Sequence, residues 1–412
     1  MGAHFDALET RSPEGRESDL FARLPAQLAH AKSAAPFYCK LLAGVDPAQV
    51  SSRAALARLP VTRKSELAAL QREEAPFGGL NATPASGLAR ILVSAGPIYD
   101  PEGRRPDFWR TARALFAAGF RAGDVVLNCF SYHLTPAGSM FETGLHHLGC
   151  AVIPGGVGQT EMQARVIADL SPAGYVGTPS FLKLIVEKAD ELGLGSACVR
   201  RAVVSGEALM PAVRDFLAQR RIDTYQSYGT ADLGLIAYET EAREGLVVSE
   251  DVILEILRPG TGDPVAEGEV GEVVITTFNA DYPLVRFATG DLSAVLAGQS
   301  PCGRTNMRIK GWMGRADQTT KVRGLFVHPH QVAEVLRRHG LDRARLVVGN
   351  TAGADHMVLR VERAAPADDA LLATAIETSL RDLMKLRGTV QFVAPGTLPN
   401  DGKVIEDART YS

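Results

Sequence analysis

Apolar residues fall at helical spacing early in the chain: Leu20, Phe21, Leu24 and Leu28 share one face of residues 18–31, which predicts an amphipathic helix. Thr62 stands ahead of a second apolar pair, Leu67 and Leu70, as the capping residue of a short helix. Together they predict a helical N-terminal wrap. From about residue 124 the period changes. Short apolar runs at Val125–Leu127, Ala151–Ile153, Tyr175–Val176, Ala202–Val204 and Thr224–Tyr225 alternate with helical stretches, the rhythm of a layered α/β core. Thr160, with Gln163 three residues on, predicts a reciprocal capping box, and Pro211 suits the first turn of a later helix.

Between residues 247 and 296 the pattern turns β-rich, with Val252–Leu257 and Val273–Thr277 flanking a turn-rich Gly260–Gly271 segment. After Gly314 the chain starts afresh, with strands near Val322–Val327, Leu346–Val348 and Met357–Val361 and helices at 330–338 and 367–385. The expected fold class is α/β: a large multi-layer N-terminal domain with a β-subdomain over residues 1–316, then a small α+β C-terminal domain over 317–412.

The length of 412 residues exceeds one ordinary core and agrees with two lobes. A net charge of −3 gives no broad electrostatic reason to bind nucleic acid. The N-terminus has no apolar run long enough for a signal peptide or a membrane span, so a cytoplasmic protein with no membrane partner is expected. Five cysteines without a close pair argue for reduced thiols and against a zinc site of the paired-cysteine kind.

Four stretches carry candidate chemistry. Thr224 to Asp232 leaves a strand and enters a glycine-bearing loop, the end of a strand at which open α/β sheets bind ligands. There Gly229 lets backbone approach a phosphate, Thr230 can donate to a phosphoryl oxygen, and Asp232 offers hard oxygens to magnesium; an ordinary polar turn is the alternative. In Tyr282 to Asp291, the carboxylate after a Thr-Gly turn can accept two hydrogen bonds from a ribose diol, or close a plain turn. Gly311 to Asp317 offers Arg315 to ribose or phosphate and Asp317 as a hinge, or is a charged linker. Leu398 to Lys403 puts a lysine on a glycine-bearing loop, either solvated or reaching into a cleft.

In this order and spacing the four resemble the adenylate-forming superfamily of acyl-CoA synthetases and adenylation domains. Within it the likeness is to phenylacetate-CoA ligase-like proteins, which share the shape of Leu59-Pro60-Val61-Thr62-Arg63-Lys64, of Gly149 to Glu161 and of Pro301 to Thr305. The resemblance implies an ATP-dependent enzyme that activates an aryl or arylacetic acid as its acyl-AMP and passes it to coenzyme A. It implies ATP or AMP, Mg2+ and coenzyme A as cofactors. Ser205, Gly206, Glu207, Gln226, Ser227, Tyr228, Gly229 and Thr230 would frame the adenine and α-phosphate, Asp291 would hold the ribose with Arg315 beside it, and Asp232 would hold the metal. By the same resemblance Lys403, Thr230 and His133 would take catalytic roles, Tyr132 and His133 would lie in the acyl pocket, and Asp317 would be the hinge on which a mobile C-terminal lid turns. A homodimer is left open.

The chain departs from the family pattern where the phosphate loop belongs. That place reads Leu92 to Gly103, without the usual threonine pair and lysine, and adds Asp100 and Glu102. Ser94, Gly96, Arg104 and Arg105 are the remaining candidates there. Asp232 replaces the family's usual glutamate. Two other readings stay open: an adenylation enzyme that passes its acyl group to a carrier protein or an amine, and a catalytically degenerate protein that binds AMP or an acyl-adenylate.

Overall fold

The architecture comes from a computed structural model that describes residues 3–316, 318, 320–322, 325–351, 354–364, 369–399, 401 and 403–409. The N-terminal apolar stripe lies on a helix, Pro13–Ala34, in which Leu20, Phe21, Leu24 and Leu28 are buried and Ser12 caps the first turn. Thr62 does not cap a helix. It lies in strand β1 (Thr62–Arg63), where its N–H donates to the Arg286 carbonyl at 3.0 Å and its hydroxyl to the Val285 carbonyl at 3.2 Å, so ladder bonds consume both groups. The helix carrying Leu67, Leu67–Glu73, starts without a side-chain cap.

Two strands follow, β2 (Arg90–Ser94) and β3 (Ile98–Glu102), paired antiparallel from Arg90↔Glu102 to Ser94↔Ile98. Then β4 (Val125–Asn128), β5 (Ala151–Ile153), β6 (Gly174–Gly177), β7 (Arg201–Val204), β8 (Asp223–Thr230), β9 (Gly234–Tyr238) and β10 (Leu246–Val248) enter one large sheet. β11 (Val252–Leu257), β12 (Gly271–Thr277) and β13 (Phe287–Ser293) form a four-stranded sheet with β1. β14 (Val295–Leu296) and β15 (Arg308–Ile309) complete the large sheet, whose nine strands run in the order β14-β15-β10-β9-β8-β7-β6-β4-β5.

β4 to β8 pair in parallel, and the helices Ala137–His147, Thr160–Leu170, Pro179–Glu191 and Pro211–Gln219 connect them, as crossover geometry requires. Leu127, Ile167, Leu182, Ile185, Val204 and Leu217 pack into one core between sheet and helices. Pro211 occupies the first turn of its helix as expected. The box at Thr160 does not form. The chain enters that helix through Gln159 in a left-handed conformation, φ 54°, which makes Thr160 the first helical residue. Gln163 instead donates to the Gly155 carbonyl at 2.7 Å and fastens the glycine-rich segment ahead of the helix.

The chain gathers into two compact units. One comprises residues 1–254, 275–289 and 295–312; the other comprises 255–274, 290–294 and 313–412. Within the second, β18 (Ala344–Thr351) and β19 (Ala354–Glu362) run antiparallel at the centre of a sheet edged by β20 (Thr389–Val393) and β21 (Ile405–Asp407). A hairpin of β16 (Thr320–Val322) and β17 (Leu325–Val327) precedes them, and the helices Pro329–His339 and Asp369–Met384 cover Leu346, Val348, Leu359 and Val361.

Candidate active site

The centre of interest in the first unit is the hairpin from β8 to β9. Gly229 is required there, because a Cβ at that position would stand 2.5 Å from the Gly234 carbonyl oxygen. The Thr230 hydroxyl accepts from the Leu233 N–H at 3.2 Å and closes the turn. Arg110, buried throughout, donates to the Leu233 carbonyl and, at 3.1 Å, to the Leu235 carbonyl, so one guanidinium fixes the turn that carries Asp232. Burial holds that guanidinium's pKa down to about 10.

An apolar cavity of about 200 Å3 adjoins this turn. Phe130, Met140 and Phe141 form part of its wall, and the Phe130 and Phe141 rings stack with centroids 4.7 Å apart. Five of the expected residues, Ser205, Gly206, Ser227, Gly229 and Thr230, border the same cavity. Ser205 donates to the Ser227 carbonyl at 2.8 Å, and the Ser227 hydroxyl is buried with no hydrogen-bond partner among the described residues.

The remaining nucleotide-site candidates of this unit are held by other partners. The Gln226 N–H donates to Glu239 at 2.9 Å, the Tyr228 hydroxyl donates to Thr289 at 3.4 Å, and Glu207 accepts the Ser180 N–H at 2.7 Å from an exposed position. Tyr132 and His133 do not line the cavity. Both are exposed, and the Tyr132 hydroxyl donates to Glu142 at 2.6 Å.

The missing phosphate loop is replaced by the tight β2–β3 hairpin. Its two candidate cations are engaged elsewhere: Arg104 donates to the Gly87 carbonyl at 3.1 Å and Arg105 to the Phe108 carbonyl at 3.0 Å. On β3, Asp100 is fully buried, with neither carboxylate oxygen at hydrogen-bonding geometry to a described residue. Burial first, and the charge of Asp232 second, push its pKa up to about 8, against the pull of Ser94 and Lys64. Asp232 is itself paired: Lys64 Nζ lies 2.5 Å from its Oδ2, while Oδ1 is buried without a partner among the described residues. Lys64 was visible in the sequence only as part of a motif's shape. Asp100 had a clearer signal, since it alternates with Ile98 on the inward face of a strand.

In the second unit the Arg315 guanidinium donates to Asp291 at 2.9 Å, and the Ala316 N–H donates to the Gly290 carbonyl at 2.7 Å. Gly290 adopts φ 76°, and a Cβ there would stand 2.7 Å from an Arg315 nitrogen, so the residue before Asp291 must be glycine. Lys403 borders a cavity of about 340 Å3 with Arg258, Arg343 and Arg345. The hinge candidate Asp317 lies outside the described residues.

The first unit thus carries a parallel α/β sheet whose β8 end meets an apolar cavity, and the second carries the Asp291–Arg315 pair. The profile of the AMP-binding enzyme family matches residues 108–279. The chain is 32% identical to a phenylacetate-coenzyme A ligase of Thermus thermophilus over 87% of its length and 84% of that protein's. It is likewise 32% identical to the Escherichia coli phenylacetate-coenzyme A ligase, over 87% and 84%. A solved 2-hydroxyisobutyryl-CoA ligase, in complex with its acyl-AMP and CoA, superposes with a TM-score of 0.73 at 25% identity, covering 97% of this chain and 92% of that one. The chain therefore belongs to the AMP-forming acid–CoA ligases of the AMP-binding enzyme family, alongside the phenylacetate-coenzyme A ligases.

Proposed function

We propose that this protein is a carboxylate–coenzyme A ligase that takes a compact aryl or arylacetic acid through its acyl-AMP. The observation that carries the reading is the apolar cavity bordered by Phe130, Phe141 and the Gly229–Thr230 backbone. No ionisable side chain among the described residues lines it, so it suits an uncharged ring or short branched group whose carboxylate stays at the polar, Thr230 side.

The chemistry then runs in two balanced steps. The substrate carboxylate attacks the α-phosphorus of ATP, a new C–O–P linkage forms, and pyrophosphate leaves. The thiol of coenzyme A next attacks the acyl carbon, loses its proton, and expels AMP. Gly229 and Thr230 would approach the α-phosphate, and Asp291 with Arg315 would hold the ribose. Lys403, on a lid of residues 317–412 that turns at Asp317, would supply fixed positive charge where carboxylate and phosphate meet. The Oδ1 of Asp232, buried and without a hydrogen-bond partner among the described residues, would hold Mg2+, which would supply positive charge to neutralise phosphate. Five free cysteines suit work in the reducing cytoplasm.

A second reading, a degenerate AMP-binding protein, draws support from the short β2–β3 hairpin and from the occupation of Asp232 by Lys64. One screen separates the two: ATP–pyrophosphate exchange with aryl, arylacetic and short aliphatic acids, followed by detection of the CoA thioester. The ligase reading expects exchange and thioester with the first two classes. Absence of exchange with every acid, while AMP still binds, would overturn it.

A further inference from the structure

The loop that carries Lys403 is held from below by side chains that lie far away in sequence. Arg345, on β18, keeps only 5% of its side chain exposed. Its guanidinium donates to the Pro399 carbonyl at 3.1 Å, to Glu406 at 3.1 Å and to Asp401. Arg343, two residues earlier on the same side of the chain, donates to the Leu398 and Pro399 carbonyls, both at 3.1 Å. From the other end, the Gln318 side-chain carbonyl accepts the N–H groups of Val404 at 2.5 Å and Ile405 at 2.8 Å. Asp401, Val404 and Ile405 are thus fastened, and the Lys403 ammonium has no hydrogen-bond or ion-pair partner among the described residues.

Asp401 decides what that freedom means. Its Oδ1 accepts the Lys403 backbone N–H at 3.1 Å, so this carboxylate sits two residues from the lysine and within its reach. A carboxylate so placed would pair with the ammonium and cancel the charge. Arg345 competes for that carboxylate through a charge-assisted bond to the same Oδ1, offsetting its charge, and it pairs with Glu406 as well. An arginine with a fork of donors and little exposure competes for a carboxylate better than a flexible lysine does.

We propose that Arg345 is a positioning residue for adenylation: it sequesters Asp401 so that the Lys403 ammonium stays uncompensated, and it fixes the height of the loop. The proposal rests on the reading of Lys403 as the adenylation cation, and it adds a residue that acts only through that lysine. It separates the two half-reactions, because attack of a thiol on a finished mixed anhydride does not need the cation.

The test measures pyrophosphate exchange, thioester formation from supplied acyl-adenylate, and thermal melting for Arg345→Met, Asp401→Asn, the double variant and Lys403→Ala. Arg345→Met is expected to lose about tenfold or more in the kcat of exchange. Its KM for ATP and acid, and its rate from acyl-adenylate, should stay within about twofold. The double variant should regain most of that loss, since the amide that replaces the carboxylate still accepts the Lys403 N–H but carries no charge to cancel. Equal loss in both half-reactions without rescue by Asp401→Asn overturns the proposal, as does unchanged exchange in Arg345→Met. Should Arg345→Met fail to fold, Arg345→Lys is measured the same way; it keeps one charge and loses the fork, so a smaller loss and the same rescue are expected. Lys403→Ala tests the underlying reading separately: if it exchanges normally, Lys403 is not the adenylation cation, whatever Arg345 does.

Discussion

Lys64 and Asp232 meet at 2.5 Å across 168 residues of sequence, and the pair places an ammonium against a buried carboxylate. The two differ in exposure. Asp232 has a fully buried side chain, whereas 22% of Lys64 remains exposed. The pair therefore stands at the rim of a buried region, with Asp100 and the Tyr282 hydroxyl, which has no hydrogen-bond partner among the described residues, within its field.

Breaking the pair from the lysine side leaves a buried, uncompensated carboxylate. Lys64→Met is expected to destabilise the fold by roughly 3 kcal/mol, the lower end for a buried pair because Lys64 keeps some solvent. Adding Asp232→Asn should return most of that loss, since the charge that needed a partner is gone. Urea denaturation of the single and double variants checks this; equal destabilisation in both would show that the lysine acts through packing alone.

Asp100 makes a prediction about pH. Its folded-state pKa is raised, to about 8, by burial and then by the charge of Asp232, against about 4 for an unfolded aspartate. Between those values the native state binds the extra proton, so the protonated group's contribution is complete below about pH 4 and declines as pH rises toward 8. Asp100→Asn, which carries no proton to lose, should flatten the decline and raise the melting temperature most at pH 8. A variant whose stability keeps the parental slope over that range would assign the slope to another group.

Much of the fold was legible because strand and helix periods differ. The switch near residue 124 marked the parallel sheet, and every apolar run singled out there became a strand. Thr62 and Thr160 were misread because their side chains suit caps, while ladder bonds and a left-handed Gln159 decided the local backbone. The cluster that borders the apolar cavity was partly legible, since Ser205, Gly206, Ser227, Gly229 and Thr230 lie on or just after strands that one sheet brings together. Lys64 with Asp232, and Arg345 with Asp401, were not legible. Pairings of this kind depend on register between distant strands, and sequence periodicity carries no information on which carboxylate a cation will meet.

Cavity size should govern acid choice. Ala137 lines the apolar cavity at the start of the helix Ala137–His147, and a leucine there would fill part of it. Ala137→Leu is expected to lower kcat/KM for arylacetic acids by roughly tenfold or more while sparing short aliphatic acids, since one or a few methylenes in such a pocket are worth about 1–3 kcal/mol. Competition assays with paired acids measure the ratio directly. A uniform drop for all acids would place the acyl group elsewhere.

The last prediction concerns how the triphosphate is held. Ser94 and Ile98 close the β2–β3 hairpin with only Ala95, Gly96 and Pro97 between them, so this segment cannot wrap a β- and γ-phosphate as a longer hydroxyl-bearing loop would. The neighbouring cations do not compensate, because Arg104 and Arg105 bond to backbone carbonyls and Lys64 is held by Asp232. Asp232 adds a carboxylate to this region and not a donor. ATP should therefore bind more tightly than AMP by no more than about tenfold, about 1.4 kcal/mol. Asp291→Ala should weaken both nucleotides alike, by roughly 1–3 kcal/mol, since it removes a charged acceptor from a ribose contact common to the two. Titration calorimetry with each nucleotide reads both numbers. A hundredfold preference for ATP would mean that Lys64 leaves Asp232 on binding and takes the terminal phosphates, and Lys64→Met would then abolish the preference without changing the affinity for AMP.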